Sequence, residues 1–380
     1  MEPFPASSEP VDTVIIGGGQ SGLALGYHLA RCKVHFVILD AEARIGDAWR
    51  RRWNSMRLFT PAKYDGLPGM PFPGDRLSFP TKDEQADYLE AYAARFALPV
   101  RTGVRVERVR RIKDEFLVEA GSSRWRARSV VLATGGNQLP FVPRFADRLA
   151  DSILQLHSSE YREPAQLRPG AVLVVGVGNS GAEIALELSR DRAVVLSGEP
   201  TGELPFRHGR NAARYALPVI RFVGTRVLTL GTPIGRKAAV RFAGPPLIRT
   251  RLRDLAAAGV TRVPRIADVV DGRPATAEGR LLDVVNVVWC TGYREDYALL
   301  DVQGLGLPGV PAQRPEHVRG VVAAVPGLYL LGQEFLFAVT SATLPGVRRD
   351  AKYLASQITA RSQRASDQPV LVGVGGRGRP

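Results

Sequence analysis

Cysteine is nearly absent from this 380-residue chain, which carries only Cys32 and Cys290. The two lie too far apart in sequence for a C-x-x-C pair or a metal-ligand cluster, so a disulfide framework, a structural zinc and a redox dithiol are disfavoured and no metal is expected. Cys32, at the end of the first predicted helix, reads as a packed small hydrophobe. Long apolar runs are missing too. None reaches the roughly 18 residues needed to span a bilayer, and the opening Met-Glu-Pro-Phe-Pro has no basic region followed by an apolar one. The expectation is a cytoplasmic protein. Lysine supplies only six of the 51 basic residues, and the net charge of +14 comes almost wholly from scattered arginines. No basic run is interleaved with stacking aromatics, so nucleic acid is not expected as a partner. A hydrophobic content of 45% is that of a globular chain, and 380 residues allow two domains.

Glycine, by contrast, is placed with purpose. Thr13-Val-Ile-Ile16 makes a short buried strand, and Gly17, Gly19 and Gly22 follow with the G-x-G-x-x-G spacing as an apolar helix begins. Gly17 permits the tight turn, Gly19 lets a pyrophosphate approach the backbone, and Gly22 lets helix and sheet pack closely. Gln20 and Ser21 open the helix, whose N-terminal amides and dipole favour phosphate. A second strand, His35 to Leu39, ends at Asp40, close to the roughly 20-residue offset at which a carboxylate meets a ribose hydroxyl.

The pattern returns at Gly176, Gly178, Asn179, Ser180 and Gly181, with its own strand before it, a helix from Ala182 to Leu188 and a strand from Ala193 to Leu196. The repeat continues: the apolar run ending in Ala133-Thr134-Gly135 is echoed by Cys290-Thr291-Gly292. Gly17 and Thr134 are 117 positions apart, Gly176 and Thr291 are 115. The fold class implied is α/β, with two Rossmann-like dinucleotide-binding domains. Two dinucleotides in one chain have a simple chemical logic, a resident flavin (FAD) and a hydride donor, NAD(P)H. Without a dithiol, the electrons go to dioxygen or to a small acceptor.

Elsewhere, residues 1–10 form a loose arm. The stretch after Trp49, as far as Phe79, is too irregular for a helix and too apolar for a solvated linker, and reads as a cover over a site. Thr81 caps a helix to Phe96, with Glu84 three residues on. Strands are expected over Val100–Val106 and Phe116–Glu119, a short apolar strand ends at Gly332, a helix covers Arg348–Ile358, and a frayed tail runs from 363 to 380. Residues 205–253 interleave apolar and arginine side chains. They are expected to form a lid or interdomain cover, with weak contact to a membrane surface as the alternative reading.

Gly17-Gly-Gly-Gln-Ser-Gly22, Gly46-Asp-Ala-Trp49, Leu156-His157-Ser-Ser-Glu-Tyr161, Gly176-Val-Gly-Asn-Ser-Gly181, Ala133-Thr-Gly135 and Cys290-Thr-Gly-Tyr293 together resemble the flavin-containing monooxygenase-like proteins, the class B flavoprotein monooxygenases. Short bacterial members and plant YUCCA-type enzymes are the most similar. The resemblance covers about 11–360 and implies three-layer ββα domains: an FAD domain in two segments, 11–165 and 283–362, with an NAD(P)H domain inserted at 166–282. It implies an FAD-dependent monooxygenase that consumes NADPH and O2 and, through a C4a-(hydro)peroxyflavin, oxygenates nitrogen or sulfur of a small substrate or oxidatively decarboxylates a 2-oxo acid. Trp49, Thr134, Gly135, Ser197, Thr291, Gly292 and Gly332 join the glycine loops as cofactor-side positions. Thr60 falls where nicotinamide and flavin should meet, and His157 is a second candidate for the chemistry. The pattern departs at Asp151 and Ile153, where Phe and Gly are usual. Tyr161 stands where Baeyer-Villiger enzymes carry Trp, which moves oxygen insertion beside a ketone to an alternative. After Ser197, Glu199 replaces an arginine that would meet the NADPH 2'-phosphate. Arg207 or Arg210 is expected to substitute, and NADH remains the alternative donor. An NAD(P)H oxidase or acceptor reductase and a flavin-binding redox sensor are the competing functions, and monomer and homo-oligomer are both open.

Overall fold

The computed structural model describes residues 8–242, 244–303, 305 and 314–366. Two sheets organise it. In the larger, a parallel set runs in the order Val100–Arg101, Phe36–Leu39, Glu9–Ile16, Ser123–Leu132 and Leu328–Leu330. Strand Ser123–Leu132 is long enough to serve two neighbours on one side. Its first half pairs antiparallel with Glu115–Ala120, and its second half pairs parallel with Leu328–Leu330. The parallel core is a run of buried β-branched and leucine side chains, with helix Gln20–Arg31 packed on strands Glu9–Ile16 and Phe36–Leu39. Helix Gln20–Arg31 packs against the last helix, Leu344–Ser366.

The smaller sheet repeats the plan: Thr261–Val263, Val194–Ser197, Val172–Val175 and Asn286–Trp289 in parallel order. Its fifth position is filled by Leu154–His157, which precedes the unit in sequence, where the first sheet uses Leu328–Leu330 from the end of its unit. Two strands of this sheet, at 154–157 and 286–289, lie outside the range 166–282 expected for the second unit. Periodicity could not place them, since an apolar run of four residues fits either sheet. A two-stranded antiparallel ribbon, Leu139–Pro140 with Tyr293–Arg294, carries the chain into and out of this region.

Thr81 and Glu84 form the expected reciprocal cap of helix Lys82–Arg95. Several expectations change. Glu9 and Pro10, expected in the loose arm, pair with Trp125 and Arg126, and 1–7 lie outside the described residues. Strand pairing after Val100 stops at Arg101, because Gly103 adopts φ +69° and turns the chain back so that Val104 N–H donates to the Asp40 carbonyl. The last helix extends to Ser366, into the expected tail, whose remainder from 367 lies outside the described residues.

Candidate active site

The two glycine loops are built alike. Gly17 and Gly176 both adopt φ +112°, and a Cβ on either would stand 2.5 or 2.3 Å from the carbonyl oxygen of Ala133 or Cys290, respectively. A Cβ on Gly22 would stand 2.0 Å from the Gly17 carbonyl, and one on Gly181 1.9 Å from that of Gly176. Gly19 and Gly178 differ from these in having nothing within 4 Å of the Cβ position. Each opens a helix, Gln20–Arg31 or Asn179–Leu188, with no side-chain cap and no acidic residue in the first turn. Orphan amides, a positive dipole end and open space over a glycine are what a pyrophosphate needs, so both loops fit a dinucleotide.

Around the first loop, Asp40 accepts Gly18 N–H at 2.7 Å through Oδ2 and Glu42 N–H at 2.9 Å through Oδ1. This fixes the carboxylate beside the glycines and leaves each oxygen a further lone pair for a ribose hydroxyl. Gly46 at φ +90° sits so close to Ala86 that only glycine fits, and it aims Trp49 so that Nε1 donates to Gln20 Oε1 at 3.3 Å. Ser21 is buried against Gly332, where a Cβ would stand 2.2 Å from Ser21 Oγ. Thr134 Oγ1 and the Gly135 carbonyl both accept from Gln138 Nε2, at 2.8 and 2.7 Å.

In the second loop several candidate side chains serve the protein itself. Asn179 donates to the Pro246 carbonyl and accepts from Ile248 N–H, at 2.9 and 2.8 Å. Ser197 Oγ, 1% exposed, donates to the Pro264 carbonyl and accepts from Ile266 N–H. Thr291 Oγ1 donates to the Phe141 carbonyl. Ser180 is in the first helical turn, half-buried. Arg207 is exposed, with Asp254 3.9 Å away, and Arg210 pairs with Asp75 across the long loop. Glu199 instead has Arg262 at 3.6 Å, on the neighbouring strand. The pairing of Leu196 with Arg262 brings that cation to the same strand ends, a placement invisible without the sheet register.

His157 ends strand Leu154–His157 and is 3% exposed. Its Nδ1 accepts Ser159 N–H at 3.1 Å, which places the ring proton on Nε2, 3.1 Å from the Gly292 carbonyl. Burial lowers its pKa, so the ring is neutral near pH 7. Its register opposite Trp289 matches that of Leu330 opposite Leu132 in the first sheet, a purely apolar position. Tyr161 is fully buried and donates to Glu187 Oε2 at 2.7 Å.

Thr60 donates to Asp65 Oδ1. Asp65 is fully buried, its Oδ2 has no hydrogen-bond partner, and burial pushes its pKa up to about 8. Nothing in the sequence singled out Asp65, because its burial comes from the fold of the loop around it. Segment 205–253 lies against this loop as a cover. His208 Nε2 bonds the Phe59 carbonyl at 2.8 Å, Lys63 Nζ donates to the Ala213 carbonyl at 2.7 Å, and Arg249 donates to the Leu58 carbonyl at 2.6 Å and to Glu183 Oε1 at 2.7 Å. The cover reaches the C-terminal part as well, through Leu230 N–H to Phe337 and Val339 N–H to Leu228. Arg52, also missed from sequence, donates to the Tyr293 hydroxyl at 3.1 Å. Cys32 is exposed, Cys290 is unpaired with its thiol pushed up to about 12 by burial, and the described residues hold no cluster able to bind a metal. The exposure of Cys32 corrects its reading as a packed hydrophobe.

A family model described as pyridine nucleotide-disulphide oxidoreductase matches residues 14–204. An oxidoreductase named CzcO-like from Geobacillus kaustophilus is 38% identical over 353 residues, 92% of this chain and 98% of its own. The solved flavin-containing monooxygenase from Stenotrophomonas maltophilia superposes with a TM-score of 0.75 at 32% identity, covering 93% of this chain and 99% of that one. The probable indole-3-pyruvate monooxygenase YUCCA7 of Arabidopsis thaliana is 29% identical over 94% of this chain and 89% of its own length. With two dinucleotide cradles and no paired thiols among the described residues, the chain belongs to the flavin-containing monooxygenase-like family and is an FAD- and NAD(P)H-dependent enzyme that inserts an oxygen atom of dioxygen into a small substrate.

Proposed function

We propose that the first loop holds FAD, the second holds NADPH, and the oxygen goes to a nitrogen or sulfur atom of a small organic molecule. The observation that carries the assignment is the matched pair of open glycines, Gly19 and Gly178, at two uncapped helix starts. FAD held in the first loop would supply the hydride acceptance and dioxygen chemistry of the reaction, and the chain's own residues bind, orient and shield it. The balance is substrate, O2, NADPH and a proton giving oxygenated substrate, water and NADP+. The amides of the Gly17–Gly22 turn bind the FAD pyrophosphate, Asp40 takes the adenosine ribose, and Trp49 with Gln20 lines the approach. Sheet membership supports a nucleotide unit running from Leu154 to Trp289.

Thr60 is a positioning residue for the reacting rings, its hydroxyl tied to Asp65. His157 holds the Gly292 carbonyl rather than moving a proton, since both ring nitrogens have local partners. The cover over 57–64 excludes water, which such a reaction requires to avoid loss of reducing equivalents as peroxide. Oxidative decarboxylation of a 2-oxo acid is the second reading, favoured by likeness to the YUCCA enzymes along most of the chain. The cytoplasm, where NADPH is regenerated, is the proposed location.

The test uses the purified yellow holoenzyme. NADPH or NADH is added anaerobically, flavin bleaching is followed, and O2 uptake, peroxide and product are then measured with a thioether, a tertiary amine and indole-3-pyruvate. The expected result is product matching O2 consumed for one of these classes. Quantitative peroxide with all three favours the oxidase, and bleaching by neither nucleotide removes the role given to the second loop.

A further inference from the structure

The cover over the active-site loop has a second side. Across residues 205–253 the sequence places eleven lysines and arginines and no aspartate or glutamate. Of the eleven large apolar side chains exposed among the described residues, seven lie in this segment. Its helical run, three consecutive segments from Ala212 to Val227, is widened into π turns on both sides of Pro218, which cannot donate the usual backbone bond. Ala213, Leu217 and Gly224 face the protein. Tyr215, Val219, Phe222 and Val223 follow the i, i+4, i+7, i+8 spacing and face solvent, Tyr215, Val219 and Phe222 each more than 60% exposed. The next helix, Pro233–Arg241, exposes Ile234 and Val240. Arg214, Arg226, Arg236, Lys237 and Arg241 are exposed around these side chains, without a carboxylate partner among the described residues. Arg221 stacks on Tyr64, 4.7 Å from its ring centre.

We propose that this outer face docks on an anionic lipid surface, with the run Ala212–Val227 lying in the membrane interface. An aromatic and aliphatic stripe set among arginines, on a helix about 24 Å long, has the composition of helices that rest in the headgroup layer. The described residues contain no helix long and apolar enough to cross a membrane, so the association is peripheral and reversible. Charge argues for lipid over a second copy of the chain: two such acid-free faces on molecules of net charge +14 repel.

The holoenzyme is sedimented with vesicles of phosphatidylglycerol and phosphatidylcholine, and separately with phosphatidylcholine alone. The expected result is pelleting with the anionic vesicles only. Val219→Glu combined with Phe222→Glu, two exposed positions, lowers the bound fraction at least about fivefold while bound FAD is unchanged. Arg105→Glu, an exposed change of equal net charge outside the segment, leaves binding within about twofold. Absence of pelleting overturns the proposal, as does an equal loss in both variants, which reduces the effect to overall charge. A doubled mass in light scattering that the double variant abolishes, without vesicle binding, assigns the face to self-association instead.

Discussion

At the scale of single residues, the glycine loops separate two jobs that the G-x-G-x-x-G pattern merges. Gly22→Ala drives a Cβ into the Gly17 carbonyl and costs about 3 kcal/mol or more, seen as a lower melting temperature and poor soluble yield. Gly19→Ala meets no protein atom, so the variant folds and the loss falls on the ligand: FAD content of the purified protein drops about tenfold or more. Asp65 gives a pH signature. Its folded pKa, about 8, lies above the unfolded value, so its stabilisation is full below the unfolded value and is lost as pH rises through about 8. Asp65→Asn keeps an acceptor for Thr60 and removes that loss. The variant should melt about 3 °C above the parent at pH 9 and within about 1 °C of it at pH 5. At the ends of the nucleotide strands, Glu199→Gln should shift the ratio of kcat/KM values toward NADPH by about fivefold, because Arg262 then meets the 2'-phosphate unopposed.

At the scale of elements, the cover is joined to the second unit by Asn179 and by a half-buried ion pair, Arg249 with Glu183. Burial raises the Glu183 pKa to about 7, with Arg249 opposing the rise. Arg249→Met leaves that carboxyl without its cation and frees the Leu58 carbonyl. A loss of about 3 kcal/mol and faster proteolysis within 205–253 are expected, with the peroxide yield rising as water enters. The elements most legible in sequence were those with a signal at both ends: the strand–glycine–helix units, and the helix whose Thr81 and Glu84 announce its start. The pairing of strand Leu154–His157 was not legible, because four alternating residues carry no information about which sheet they join. Arg262 and Asp65 were missed for a related reason. Their importance comes from strand register and loop burial, which sequence spacing does not encode. Asn179 and Ser197 matched the family pattern, yet their side chains brace the second unit. Pattern matching locates a backbone cradle more reliably than it assigns the side chains around it.

At the scale of the whole molecule, the C-terminal segment closes on the proposed FAD loop, since Gly332 packs against Ser21 of the first helix. Removing FAD should therefore lower the melting temperature of the entire chain, and returning it should raise that temperature with the logarithm of its concentration. The ribbon of Leu139–Pro140 with Tyr293–Arg294 bears on a different matter, the history of the chain. The polypeptide leaves the first unit and returns to it on adjacent antiparallel strands, so the ends of the intervening segment meet. A stretch whose ends meet can be spliced into a surface turn of a finished domain without disturbing its sheet. The second unit, so like the first in its glycines and strand order, has the form of a duplicate gene segment accepted at that turn.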